Sequence, residues 1–329
     1  MKAIVIGGVA AGMSAASKLR RVMPDAQITV YERGGYLSYG ACGLPYYIGG
    51  FNDDPGRLIA RTREQYAQMR IDTFLHHEVL SVDAAAKRVR VRDNDSGREF
   101  EDSYDALMIA VGCDSVAPKV PGADLPSVFY LKTMEDGLLL HEILRLRDVT
   151  RVAVVGGGNV AMDAARCSKR LGAEVYVVYR RGMEELPARH EEVEHAIEEG
   201  VIFKTLNNPV QINGDEQDCV KSMTCIEMEL GEPDASGRRR PVEKKGSEFD
   251  LSVDAVIMSL GTSPNPLIKS TTKGLEVNKK GGIIVNEEGL TSRQAVYAGG
   301  DAVTGAATVI LAMGAGKLGA KSIDEYLSK

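Results

Sequence analysis

Residues 3–12, AIVIGGVAAG, read as a short apolar strand running into a glycine turn, and residues 13–22, MSAASKLRRV, have the composition of a helix. A helix that starts this way presents unpaired backbone N–H groups and the positive end of its dipole, which suits a pyrophosphate. The next apolar run, ITVYE, ends in Glu32, 20 residues past Gly12. A carboxylate at that place can accept hydrogen bonds from both ribose hydroxyls of an adenosine. Val9 stands where the fingerprint has its middle glycine, so the acid at the strand end carries the assignment. A strand, glycine turn and helix without a ligand is the competing reading.

The pattern recurs. VAVV, residues 152–155, leads into Gly156-Gly157-Gly158-Asn159-Val160-Ala161, a helical MDAARCSKRLG and the strand EVYVVYRRG. On residue identity Tyr31-Glu32-Arg33-Gly34 aligns with Tyr179-Arg180-Arg181-Gly182. Where the first copy has a carboxylate for bare hydroxyls, the second has two guanidinium groups, whose charge and fork geometry match a 2′-phosphate. Two dinucleotide sites are therefore expected, NADPH at the second. A solvated pair of arginines is the alternative.

The rest of the chain fits an α/β protein of this kind. It has 329 residues, 44% apolar and 26% charged, with 35 glycines, enough for two cored domains. A net charge of −6 argues against nucleic acid or an anionic membrane as main partner. MKAIVIGG lacks the features of a signal peptide and no apolar run has transmembrane length, so a cytoplasmic location is expected. The five cysteines lack CxxC spacing, and no metal site is expected. Between the two copies, short strands with a hairpin turn near Asn94–Gly97 precede the buried strand ALMIAVG. The polar segment EPDASGRRRPVEKK, residues 232–245, reads as an exposed hairpin tip with solvated charges.

Two features invite chemistry. Cys42 sits in SYGACGLPYYIGG, residues 38–50, between Gly40 and Gly43, where backbone can approach a flat cofactor and a thiol can exchange electrons with it; a small buried apolar residue is the alternative. Asp301 follows the strand VYAGG and precedes the helix-like GAATVILAMGAGKLGAKSIDEYL. It suits a polyol chain, or is a helix cap. Cys113, Cys167, Cys219 and Cys225 read as structural, and His190 and His195 have no assigned chemistry.

In order, these motifs resemble the pyridine nucleotide–disulfide oxidoreductase superfamily over nearly the whole chain. The resemblance implies two Rossmann-like domains of glutathione reductase type, without the C-terminal dimerisation domain of some members. It divides the chain into an FAD domain in two parts, 1–115 and 262–329, around an NADPH domain, 116–261. It places Gly7, Gly8, Gly12, Glu32, Arg33 and Val79 on FAD, with the turn Ala110-Val111-Gly112 and the closing Gly300, Asp301, Thr308 and Val309. It places Gly156, Gly158, Asn159, Val160, Arg180 and Arg181 on NADPH.

The N-terminal part, with SYGACGLPYYIGG, is similar to coenzyme A-disulfide reductases and NADH oxidases, whose lone cysteine stands at the place of Cys42. The part from about 151, with VVGGGNVAMDAAR and VVYRRGMEELPAR, resembles the NADPH-dependent glutamate synthase small subunit. The resemblance thus implies electron flow from NADPH through FAD to one of two acceptors. One is a small disulfide, taken by Cys42, with Arg20, Arg21, Arg57 and Arg61 as candidates to neutralise its phosphates. The other is a redox protein, such as an iron–sulfur partner subunit.

Overall fold

A computed structural model describes residues 1–146, 149–233, 237 and 239–329. The chain forms two compact units, one of Met1–Gly40, Gly56–Asp114 and Thr262–Lys329, the other of Ala41–Pro55 and Ser115–Gly261.

The first unit is built on a five-stranded parallel sheet. Its order is Val296–Ala298, Ala106–Ile109, Lys2–Ile6, Gln27–Tyr31, Ile71–Phe74. The central strand is apolar on both sides because both faces are covered. Ala3 and Val5 enter one core with Met13, Ala16, Leu19, Ala320 and Ile323 from the helices Ala10–Val22 and Val309–Leu327. Ile4 and Ile6 enter the opposite core with Val79, Val82, Val89 and Val91. Those valines belong to an antiparallel meander, His77–Asp83, Arg88–Asp93 and Glu99–Ser103, whose second turn lies at the expected Asn94–Gly97.

The second unit repeats the plan. Ile202–Thr205, Glu174–Tyr179, Arg151–Val155, Ala255–Met258 and Val128–Tyr130 form a parallel sheet in that order. An antiparallel sheet of Asn207–Gly214, Val220–Pro233, Arg239–Glu243 and Phe249–Ser252 packs beside it through Ile212, Met223, Cys225 and Leu251. Of the expected polar tip, residues 234–236 and 238 lie outside the described residues.

Ala41–Pro55, which sequence alone leaves in the N-terminal block, groups with this second unit. The short helix Leu44–Ile48 buries Leu44, Tyr47 and Ile48 there. The Tyr47 ring stacks on His141 at 4.2 Å, and the Cys167 thiol donates to the Pro45 carbonyl at 2.9 Å. Three apolar side chains in a five-residue helix need a wall, and this one supplies it.

In the first unit, Gly316 brings the last helix against the first so closely that a Cβ would run into the Ala11 carbonyl oxygen. Gly316→Ala should therefore lower the unfolding free energy by roughly 1–3 kcal/mol through overpacking, read as an earlier urea midpoint. Gly314→Ala, two positions away where a Cβ meets open space, should leave the midpoint unchanged or raise it.

Candidate functional site

The candidate residues of the first unit gather at the carboxyl edge of its parallel sheet, where open α/β sheets hold their ligands. Gly7 follows the strand Lys2–Ile6, Glu32 follows Gln27–Tyr31, Ala110 follows Ala106–Ile109 and Gly300 follows Val296–Ala298 within two residues. Gly7 has φ +104°, and a Cβ there would strike the Ala110 carbonyl. That tight crossing delivers the chain to the helix Ala10–Val22, whose first turn carries no acidic residue.

Glu32 is fixed by two backbone donors, Gly8 N–H at 2.6 Å and Gly34 N–H at 2.7 Å, one to each oxygen. An ionised carboxylate has about four acceptor positions, so two remain for hydroxyls. A cleft beside it is lined by Gly7, Glu32, Arg33, His77 and Val79. Arg33 is ion-paired with Asp114. Val79 is buried at this wall, and Gly112, with φ +64°, faces open space.

At the last strand the structure amends the sequence reading. Gly300, not Asp301, is the cap of a four-residue helix, Asp301–Thr304, and the Cys113 thiol donates to the Asp301 carboxylate at 3.5 Å. The long helix begins at Val309, with the Thr308 hydroxyl accepting from Leu311 N–H at 3.3 Å. Val309 is partly exposed and no acid lies in that first turn. The open helix start, the fixed carboxylate and the cleft fit an FAD.

The cleft also has walls that sequence reasoning missed, Asn265, Leu267 and Ile268. The Asn265 side chain caps Pro266–Thr271 by accepting from Leu267 N–H at 2.8 Å, and an Asn-Pro pair after the strand's exit turn was the available signal.

In the second unit Gly156, with φ +144°, makes the same crossing against the Ser259 carbonyl. Gly158 caps the helix Asn159–Arg170, its Cβ position meets nothing within 4 Å, and Val160 is exposed. The Asn159 side chain is engaged, accepting from Arg189 N–H at 2.9 Å.

The strand ladder corrects the alignment of YERG with YRRG by one residue. Gly7 N–H donates to Tyr31 O, and Gly156 N–H to Val178 O. Tyr31 lies 24 residues after Gly7 and Val178 lies 22 after Gly156, so the second connection is two residues shorter. Tyr179 thus takes the place of Glu32, and a Cβ on Gly157 would meet its ring as one on Gly8 would meet the Glu32 side chain. Arg180 and Arg181 come one and two positions beyond. Arg180 is exposed, while Arg181 Nε donates to the Arg239 carbonyl at 3.1 Å. Tyr179 is neutral where the first copy has the Glu32 carboxylate, so the charge contrast at the strand ends survives the shift in register.

Cys42 is exposed, on the turn Ala41–Gly43, which removes the alternative of a small buried residue. It lines a cavity of about 280 Å³ with Tyr46, Phe51, Arg166, Cys167 and Arg170, all from the second unit. The arginines have carboxylate partners, Arg166 with Glu192 at 2.7 Å and Glu199 at 2.9 Å, Arg170 with Glu199. Arg20 in the first unit is engaged as well, donating to the Pro24 carbonyl at 2.6 Å, and Arg61 lies over the Tyr66 ring. Among the described residues, no cluster of three or more His, Cys, Asp or Glu side chains is placed to hold a metal ion. No helix among them is long and apolar enough to cross a membrane.

Residues 1–316 match the model of the family described as pyridine nucleotide-disulphide oxidoreductase. The chain belongs to that family. Membership carries the class, an oxidoreductase that uses FAD and a pyridine nucleotide. Among relatives, it is 38% identical to the NADP(+)-dependent formate dehydrogenase subunit beta of Moorella thermoacetica, over 99% of this chain and 44% of that one. It is 32% identical to the glutamate synthase [NADPH] small chain of Halomonas elongata, over 99% of this chain and 68% of that one. Among solved structures, the NAD-dependent persulfide reductase of A. fulgidus superposes with a TM-score of 0.82 at 29% identity, over 98% of this chain and 59% of that one. The chain spans about half the length of several curated relatives it matches.

Two measurements check this geometry. Glu32→Ala removes the acceptor of two backbone donors and should weaken FAD retention about 10–100-fold, read from the 450 nm to 280 nm absorbance ratio after gel filtration. The second concerns buried thiols. Burial first, then the Asp163 carboxylate, pushes Cys167 up to about 12, and burial with Asp250 does the same for Cys225. Unfolded thiols ionise near 9, so this contribution to stability is complete below that pH and is lost as pH rises toward 12. The urea midpoint should fall between about pH 9 and about pH 11, with a shallower fall in the Cys167→Ala, Cys225→Ala double variant.

Proposed function

We propose that the chain moves electrons from NADPH through FAD to a disulfide acceptor by way of the Cys42 thiol. The observation that carries the donor half is the contrast between the two strand ends. Glu32 is held by backbone donors in the first unit, and Tyr179 is followed by Arg180 and Arg181 in the second. A fixed carboxylate selects free ribose hydroxyls, and a neutral strand end followed by two guanidinium groups selects a 2′-phosphate.

Gly7, Gly8, Gly12, Glu32, Val79 and Ala110 would hold FAD, with Arg33, Gly112, Gly300, Asp301, Thr308 and Val309 completing the set. Gly156, Gly158, Asn159 and Val160 would hold the pyrophosphate of NADPH. When bound there, FAD would supply the redox chemistry, a hydride acceptor for the nicotinamide and a two-electron donor for a mixed disulfide. Cys42 attacks one sulfur of the acceptor as a thiolate, forming the mixed disulfide and releasing a thiolate that takes a proton from water. The sum is NADPH, a proton and one disulfide converted to NADP⁺ and two thiols. Exposure of Cys42 on a short turn supports access of such an acceptor.

A second reading rests on the relatives themselves, the formate dehydrogenase beta subunit and the glutamate synthase small chain, which are components of larger enzymes by name. In it the acceptor is a redox protein, and Cys42 takes no part.

Cys42→Ser separates the two. On the thiol route it abolishes NADPH-dependent reduction of a small disulfide, by at least about a hundredfold, and leaves reduction of an artificial dye intact. Disulfide reduction that survives the substitution, or is missing from the unaltered protein, favours the subunit reading. Arg180→Ala with Arg181→Ala should raise KM for NADPH about 10–100-fold and change KM for NADH little.

A further inference from the structure

The tip segment EPDASGRRRPVEKK does not present all of its charges to water. Arg239, at the start of the strand Arg239–Glu243, touches the loop after Tyr179 twice. Its carbonyl accepts from Arg181 Nε at 3.1 Å, and its guanidinium donates to Glu185 Oε1 at 2.8 Å. The other oxygen of Glu185 lies against Gly182, where an added Cβ would come within 2.5 Å of it. Leu230, on the strand that pairs with Arg239–Glu243, approaches the same glycine. Glu185 is itself held, since the Tyr179 hydroxyl donates to its carbonyl at 2.8 Å. One hairpin therefore rests on Arg181, Gly182 and Glu185, and all of these groups lie within the second unit.

We infer that Arg239 is a third cation of the pocket for the 2′-phosphate of NADPH, kept at the Arg180–Arg181 loop by Glu185. The inference rests on the reading of Arg180 and Arg181 as the NADPH-selecting pair. Its support is positional. The residue whose backbone anchors Arg181 carries a guanidinium to the same loop, and that side chain is about half exposed, so an anion can reach it. Glu185 pairs with the guanidinium through one oxygen only, which leaves donors of the five-donor fork for a phosphate. A dianionic phosphate between Arg181 and Arg239 gains charge-assisted hydrogen bonds that a ribose hydroxyl cannot replace.

The test is calorimetric binding of adenosine 2′,5′-bisphosphate and adenosine 5′-phosphate to the full chain, with circular dichroism to confirm folding. Arg239→Ala keeps the backbone acceptor for Arg181 and removes only the guanidinium. It should weaken the bisphosphate about tenfold and the monophosphate less than about twofold. Arg239→Lys, a point charge without the fork, should fall between the two. Glu185→Gln, which lifts the competing charge, should tighten the bisphosphate severalfold. An equal loss for both ligands in Arg239→Ala would show a merely structural hairpin and overturn the inference, as would an unchanged ratio. If the unaltered protein shows no preference for the bisphosphate, the reading of Arg180 and Arg181 fails first and Arg239 with it. If it prefers the bisphosphate and only the Arg180→Ala, Arg181→Ala double variant loses that preference, Arg239 alone is excluded.

Discussion

Each unit depends on one steric constraint, a glycine carried across the end of its strand with no room for a Cβ. Gly7 passes against the Ala110 carbonyl and Gly156 against the Ser259 carbonyl, both with positive φ. A side chain at either place would separate two neighbouring parallel strands at their carboxyl ends. The same crossing turns the chain into a helix whose first N–H groups have no partner within the helix, so the contact that closes the sheet also leaves the backbone geometry that suits an anion. Sheet closure and an open helix start are here two consequences of one backbone geometry, which the two copies keep while their connections differ in length.

That geometry was legible because glycine is a local signal. The unbroken apolar runs within Lys2–Ile6 and Arg151–Val155, buried on both faces, and the glycines that follow, needed no knowledge of distant residues. The alignment of YERG with YRRG was the place where local reading failed. Identical Tyr and Gly residues drew the comparison one position out, and only the hydrogen-bond ladder reveals that the second connection is two residues shorter. The functional contrast survived because it rests on charge at a strand end, which tolerates a shift of one residue. A contrast resting on a single side-chain geometry would have been lost.

Tertiary contacts were the part that sequence could not supply. Ala41–Pro55 follows the first dinucleotide motif in the chain yet packs through Leu44, Tyr47 and Ile48 in the second unit, because its partners lie about a hundred residues away in sequence. The cleft wall of Asn265, Leu267 and Ile268 is remote from Glu32 for the same reason. The charged hairpin shows it most clearly. A run of arginines beside Gly and Pro has the composition of a solvated tip, and composition carries no record of Glu185 waiting 54 residues upstream.

The cysteines show how burial sorts chemistry that residue type leaves open. Cys167 and Cys42 line one cavity, but Cys167 donates its proton to the Pro45 carbonyl and is held as a thiol by burial, whereas Cys42 is exposed on its turn. A thiol exchanges with disulfides through its thiolate and only where a partner can reach it, so these two neighbours are not interchangeable. Cys113 and Cys225 are buried as well. Cys219 is half-buried in the antiparallel sheet region, away from any candidate site residue in sequence. Of the five thiols Cys42 is the exposed one, and the arginines around its cavity add little net positive charge because Glu192 and Glu199 already balance them. An acceptor at this cavity would be chosen by its sulfur and by the rings of Tyr46 and Phe51 more than by its phosphates.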